Sequence, residues 1–241
     1  MPDAIFEDPR LAALYDWLDP DRSDLDVYAA MVAEFEGREV LDVGCGTGTF
    51  ALMLAERGIR VTGVDPALAS LDVARAKPGS ENVTWIHGDA TKLPPLACDL
   101  AFMTGNVAQV FLTDEAWDTT LRGIHAALVP GGRLIFETRD PAREPWRDWH
   151  REGTYQRIEI PDVGAVEDWG ELTDVDLPFV TFDSFVRFER GGDVIASTST
   201  LRFRTHDEVA ASLAATSFVV DEVRDAPDRP GREFVFVARR A

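Results

Sequence analysis

Residues 40 to 50 read Val-Leu-Asp-Val-Gly-Cys-Gly-Thr-Gly-Thr-Phe, a short apolar run that meets three glycines spaced two apart and then opens into an apolar pattern of helical period. An apolar run of that length, bounded by a turn signal, fits a buried strand. Gly44, Gly46 and Gly48 let the backbone turn sharply and approach a ligand closely, and the helix start behind them offers amide N–H groups that have no partner within the helix. A strand that turns at once into a helix belongs to an alternating α/β architecture.

The flanking sequence carries the same alternation. Short apolar strands are predicted over 40–43, 60–64, 83–87, 99–103 and 133–138, with helices over 50–57, 68–76 and about 114–128. Gly58 and Pro78 stand where two of those helices should stop, and Pro130-Gly131-Gly132 reads as a turn before the fifth strand. Strands separated in this way by helices predict a mostly parallel sheet with helices on both faces. Upstream, Leu11, Leu14, Tyr15 and Leu18 recur at helical spacing before Asp19-Pro20, and a second helix is expected over about 25–35.

Between 151 and 204 the period changes to two. Val180, Phe182, Ser184, Val186 and Phe188 alternate with other residues, and after Gly191-Gly192-Asp193 the alternation resumes at Ile195, Ser197, Ser199, Leu201 and Phe203. This predicts an antiparallel hairpin in a small added sheet. Thr205 and Glu208 form a capping-box pattern for a helix through Ala214, and two further strands, 218–223 and 233–238, bring the main sheet to seven. The expected organisation is an N-terminal helical cap over 1–36, a main domain over 37–150 and 205–241, and an antiparallel β insertion over 151–204.

Charge narrows the partners. With 43 acidic against 24 basic residues the formal charge is −19, which repels a phosphate backbone or an anionic membrane, so neither is expected. Only Lys77 and Lys92 are lysines, which disfavours Schiff-base chemistry. Cys45 and Cys98 allow one disulfide at most and lack partners at metal-ligand spacing, so no metal is expected. No leader or membrane span is read, and the expectation is a cytoplasmic chain.

Three acidic positions follow strand ends. Asp42 places a carboxylate beside the glycine turn, where a cationic amino-acid moiety could be held. Asp65, in Val64-Asp65-Pro66, can accept both hydroxyls of a ribose, and Asp89, in His87-Gly88-Asp89-Ala90, can accept from an adenine amino group. A dinucleotide fingerprint would place its third glycine at position 49, where this chain has Thr49.

Taken with Leu128-Val129-Pro130-Gly131-Gly132, these motifs over 38–138 resemble the class I methyltransferases that use S-adenosylmethionine (SAM). The resemblance implies a Rossmann-like fold, SAM as cofactor and S-adenosylhomocysteine (SAH) as product. It implies that Asp42 and Gly44 hold the methionine moiety within the loop of Cys45, Gly46 and Gly48. Asp65 with Pro66 would hold the ribose, and Gly88, Asp89 and Ala90 the adenine. Tyr15 would close over the cofactor, and Thr104, Asn106 and Gln109 would lie beneath the methyl group and the acceptor. The acceptor is expected to be a small molecule, since the Asn-Pro-Pro-Tyr type of motif is missing after the fourth strand.

Methyl transfer relies chiefly on positioning. Where a base is needed, His87 and His150 are the candidates, with Asn106 as a positioning group. His125 and His206 read as surface residues. Arg139 and Asp140 read as acceptor contacts or as solvated charges, and Trp146 and Trp149 as the lining of an apolar pocket or as cover for the core of the insertion. The expected assembly is a monomer or homodimer. Two rival readings stay open: a SAM or SAH binder that does not transfer methyl, acting as a regulatory or scaffold protein or in other SAM chemistry, and a nicotinamide oxidoreductase. Thr49 and the Gly88-Asp89-Ala90 step speak against the latter.

Overall fold

The structure is a computed structural model and describes residues 2–241. Its chain opens with α1 (Ala4–Glu7), α2 (Pro9–Ala12), α3 (Tyr15–Leu18) and α4 (Asp24–Glu34). The early helical pattern is therefore broken into single turns. Pro9 begins a new helix at its first position, and the Asp8 side chain caps it by accepting from the Arg10 amide at 2.8 Å.

The alternating part follows as β1 (Glu39–Val43), α5 (Thr49–Glu56), β2 (Arg60–Asp65), α6 (Leu68–Ala76), β3 (Val83–His87), β4 (Cys98–Met103), α7 (Asp114–Ala127) and β5 (Leu128–Arg139). Next come α8 (Arg151–Thr154), β6 (Gln156–Ile160), β7 (Gly164–Asp176), β8 (Phe179–Phe188) and β9 (Val194–Arg202). The chain closes with α9 (His206–Ala215), β10 (Phe218–Asp225) and β11 (Glu233–Arg240).

The main sheet has seven strands in the order β10-β11-β5-β4-β1-β2-β3. Pairs β1–β2, β1–β4, β2–β3 and β4–β5 are parallel, while β11 runs antiparallel to both β5 and β10. Strand order reverses at β1, so a crevice opens beyond the carboxyl ends of β1 and β4, the place where open α/β sheets bind ligands. One buried cluster joins the sheet to α7 and α9 through Trp117, Leu121, Phe136 and Leu213. A second joins the opposite face to α4 and α5 through Leu25, Tyr28, Phe50 and Phe102. Helices thus cover both faces, as the alternation predicts.

Two details differ from the sequence reading. Strand β5 begins at Leu128, and Pro130-Gly131-Gly132 is an irregularity within it: Cys98 pairs with Leu128, but Leu100 already pairs with Arg133. The second sheet has four antiparallel strands, β6-β7-β8-β9. Its β8–β9 pair is the predicted hairpin, with Val180 opposite Leu201 and Val186 opposite Ile195. The β6–β7 hairpin was not predicted, because Asp168, Glu171, Asp174 and Asp176 hide the apolar alternation of β7. Leu11 and Leu14 pack on Ile160, Val166 and Val186, which fixes the N-terminal helices to this second sheet. Trp146 is buried with Val180 and Phe203, with Trp149 packed alongside, so both tryptophans cover the core of the added sheet.

Candidate active site

The glycine turn is held by backbone bonds. Gly44 and Cys45 donate to the Val64 carbonyl at 2.8 and 3.2 Å, which ties the end of β1 to β2, and Gly48 donates back to Cys45 at 2.9 Å. Gly44 has φ 73°, and a Cβ there would lie 2.6 Å from Val107 Cγ2. Backbone and space together therefore require glycine at 44.

A cleft of about 580 Å³ opens over this turn. Of the predicted cofactor residues, Tyr15, Asp42, Gly44, Cys45, Gly46, Asp65, Pro66, Gly88, Asp89, Ala90 and Thr104 all line it. Gly48 stands behind the wall as the N-cap of α5. Asp42 is 1% exposed, and its Oδ2 has no hydrogen-bond partner among the described residues. Burial, reinforced by the charge of Asp65, pushes its carboxyl up to about 7. An unpartnered buried carboxylate oxygen calls for a cation.

Asp65 accepts from the Gly46 amide at 2.8 Å and the Ala67 amide at 2.7 Å, which fixes its carboxylate at the lip of the loop. Burial raises its pKa, and those two amide bonds oppose the rise. Asp89 caps the next turn through Oδ1, which accepts from the Thr91 amide at 2.9 Å and from the Thr91 hydroxyl. Burial pushes the Cys45 thiol well up, which keeps it protonated and removes it as a nucleophile.

The predicted catalytic residues lie elsewhere. His87 Nε2 is 3.1 Å from the Pro66 carbonyl on an exposed side chain. His150 caps α8, its Nδ1 accepting from the Gly153 amide at 3.0 Å. His125 packs edge-on to Phe218, and His206 lies against Phe234 and Phe236. None of the four histidines lines the cleft. Asn106, 3% exposed, is turned into the protein, where its Nδ2 donates to Glu233 at 3.3 Å. Gln109 is fully buried and accepts from Arg139 at 3.0 Å. Arg139 also approaches Glu233 at 3.6 Å and lies 5.5 Å from the Trp149 ring, so it is a structural cation and not a solvated loop charge. Asp140 caps a 3₁₀ turn by accepting from the Ala142 amide at 2.9 Å.

Several wall residues were not legible in advance. Arg22 lines the cleft from the loop before α4, held by Asp24 at 3.2 Å, and among the described residues it is the one arginine or lysine in the wall. Val110, Phe111 and Leu112 follow β4, while Thr198 and Thr200 come from β9. A position just beyond a strand's carboxyl end is a usable signal for Phe111 and Leu112. Nothing in the alternation of β9 marks its threonines as different from other strand residues.

The first helices bridge both sheets across the cleft. Ile5 donates to Ser197 Oγ at 2.9 Å, and Ser70 Oγ donates to the Phe6 carbonyl at 2.8 Å. Asp16 accepts from the Thr47 hydroxyl at 2.6 Å and pairs with Lys77 at 2.5 Å, while Gln156 donates to the Leu18 carbonyl at 2.9 Å. Among the described residues no group of three or more His, Cys, Asp or Glu side chains is placed to hold a metal ion, and no helix is long and apolar enough to cross a membrane.

Comparison with known proteins agrees with this geometry. Residues 40–132 match the family described as "Methyltransferase domain". The cypemycin N-terminal methyltransferase of a Streptomyces species is 38% identical over 108 residues, 44% of each chain. The first curated relatives are matched over only about half of their own length, 41% to 53%. A ubiquinone biosynthesis O-methyltransferase of Idiomarina loihiensis is 30% identical over 176 residues, 66% of this chain and 72% of the relative. Among solved structures, SAM-bound CalS10 of Micromonospora echinaspora, an amino pentose methyltransferase, superposes with a TM-score of 0.72 at 22% identity over 92% of this chain and 93% of the other, a likeness of fold. With the fold, the loop and the motif residues in agreement, the chain belongs to the class I, Rossmann-like family of SAM-dependent methyltransferases.

Proposed function

We propose that the chain is an enzyme that transfers the methyl group of SAM to a small-molecule acceptor, with an amine as the preferred acceptor group. The observation that carries the cofactor reading is the buried, unpartnered Asp42 oxygen in the wall of a cleft looped by glycines. Its carboxylate suits the α-ammonium of the methionine moiety, and Arg22 offers the cation for the α-carboxylate. Asp65 keeps lone pairs free for ribose hydroxyls, and Asp89 keeps Oδ2 free for an adenine amino group. Bound SAM supplies an electrophilic methyl on a sulfonium, whose charge is neutralised as transfer proceeds.

The rest of the wall defines the acceptor chamber. Phe6, Val110, Phe111 and Leu112 give it an apolar body, and Thr198 and Thr200 add hydroxyls. With no histidine in the wall, positioning carries much of the work, on the order of 7 to 11 kcal/mol in favourable intramolecular reactions. Asp3 is the one further carboxylate in the wall among the described residues. It is the N-cap of α1 but makes no side-chain cap bond, and it lines the cleft where Ile5 docks on β9. A carboxylate there attracts an ammonium, can take its proton, and repels anionic acceptors. The two-sheet division supports this reading, with the added sheet supplying one side of the chamber.

Incubation with methyl-deuterated SAM and a metabolite extract, read by mass spectrometry against an Asp65→Ala control, tests the proposal. Labelled amines absent from the control are the expected result. Label found only on oxygen or carbon acceptors would keep methyl transfer and remove the amine preference. A wild-type protein that does not bind SAH would overturn the whole reading.

A further inference from the structure

Glu137 lies in the interior of β5, next to Ile135 and Phe136, and is only 5% exposed. A buried carboxylate in a central strand costs several kcal/mol unless specific donors meet it. Here the donor comes from the turn after β4. The Asn106 amide donates to Glu137 Oε1 at 2.9 Å, with the Gly105 amide and the Tyr28 hydroxyl close by the carboxylate, while Oε2 has no hydrogen-bond partner among the described residues. Gly105 and Asn106 are consecutive residues in the left-handed region, φ 71° and 61°. Successive amides of such a turn make a concavity for an anion, and the Glu137 carboxylate fills it from behind.

The other side of this turn faces the cleft. Thr104, Gly105, Val107, Val110, Phe111 and Leu112 line it, and Val107 meets Gly44 so closely that no Cβ would fit there. The turn therefore carries the acceptor-side floor and rests against the cofactor loop.

We propose that Glu137 is a positioning residue for methyl transfer: from within the sheet it holds the backbone of the 104–112 turn, and so sets the distance between the acceptor floor and the cofactor loop. This rests on the methyltransferase reading above. Ionised, Glu137 accepts from the Asn106 amide and faces the Gly105 amide and the Tyr28 hydroxyl. Protonated, it brings a donor into a nest of donors, and the turn loosens. The charged or titratable groups around it are Tyr28 on α4, Glu233 on β11, Arg139 on β5 and Arg229 before β11, with Asp228 beyond Tyr28 and Arg229. Burial, with the charge of Glu233 adding to it, pushes the Glu137 carboxyl up to about 7 against the pull of the nearby Tyr28 hydroxyl and turn amides.

Hydrogen exchange of wild type, Glu137→Gln and Asn106→Gly, read over 104–112 and corrected for the intrinsic pH dependence, tests this without an acceptor. SAH affinity is measured beside it. In Glu137→Gln, amide protection of the turn should fall by about tenfold or more while β1 and β4 keep theirs and SAH affinity stays within about threefold. Asn106→Gly keeps the amide and the left-handed backbone, so its protection should match wild type. In wild type the protection should drop as pH falls through about 7, a step missing in the glutamine variant, and this arm decides the matter if that variant does not fold. On the acceptor found by labelling, kcat should fall by up to about 100-fold in Glu137→Gln with a much smaller change in KM. A folded glutamine variant with wild-type protection overturns the proposal, as does lost protection with unchanged kcat. Failure of the wild type to bind SAH would instead sink the methyltransferase reading and leave the exchange result standing.

Discussion

At the scale of single residues, the role proposed for Asp42 makes cofactor binding depend on pH. Its carboxyl is raised to about 7 in the folded protein, against an ordinary value of roughly 3.9. Between those values the native state holds a proton that the unfolded chain has released, so the Asp42 contribution to ligand-free stability declines as pH rises through that window and levels off above it. Under the proposed role cofactor binding has the opposite sign, because only the ionised carboxylate pairs with an ammonium. SAH affinity should weaken by up to about tenfold per pH unit below 7 and flatten in Asp42→Asn, as titration calorimetry from pH 5.5 to 8 can record. A flat wild-type profile would separate Asp42 from the ammonium. Arg22→Met should weaken SAH by roughly tenfold and leave a decarboxylated analogue unaffected. The aspartates were legible because each follows a strand end in a motif of fixed spacing. The histidines misled because residue type and sequence position do not reveal what a ring nitrogen meets: a carbonyl for His87 and the start of α8 for His150. Arg22, in an aperiodic loop, carried no signal at all.

Among the elements, α7 and the turn capped by Asp89 show how packing places a residue proposed to bind adenine. A Cβ on Gly123 would lie 1.9 Å from the Ala90 carbonyl oxygen, so α7 touches the turn capped by Asp89 with no side chain between them. Gly123→Ala must push the two apart. The overpacking should cost about 1 to 3 kcal/mol, seen as a Tm lower by about 2 to 4 °C per kcal/mol, and SAH binding should weaken with it. Unchanged affinity in a destabilised variant would mean that the turn moves without disturbing the adenine side. Elements were legible wherever one face is apolar and the other polar, as along α7 and the β8–β9 hairpin. They were illegible where solvent reaches an acidic strand, as in β7, and where strand pairing continues across Pro130-Gly131-Gly132, which local chemistry reads as a turn.

In the whole molecule, two sheets share one cleft, and the first three helices fasten them together across it. Asp16→Asn removes the partly exposed pair with Lys77, worth about 1 kcal/mol, so SAH should leave roughly fivefold faster in stopped-flow displacement. An unchanged release rate would mean that the helices do not gate exit. The contact between Ile5 and Ser197 joins residues 192 positions apart. As the ribosome delivers the chain, α1 emerges long before β9 exists to receive it. The contacts of the first helices with Thr47, Ser70 and Lys77 can therefore form early, whereas the one with Ser197 waits until the added sheet has been made.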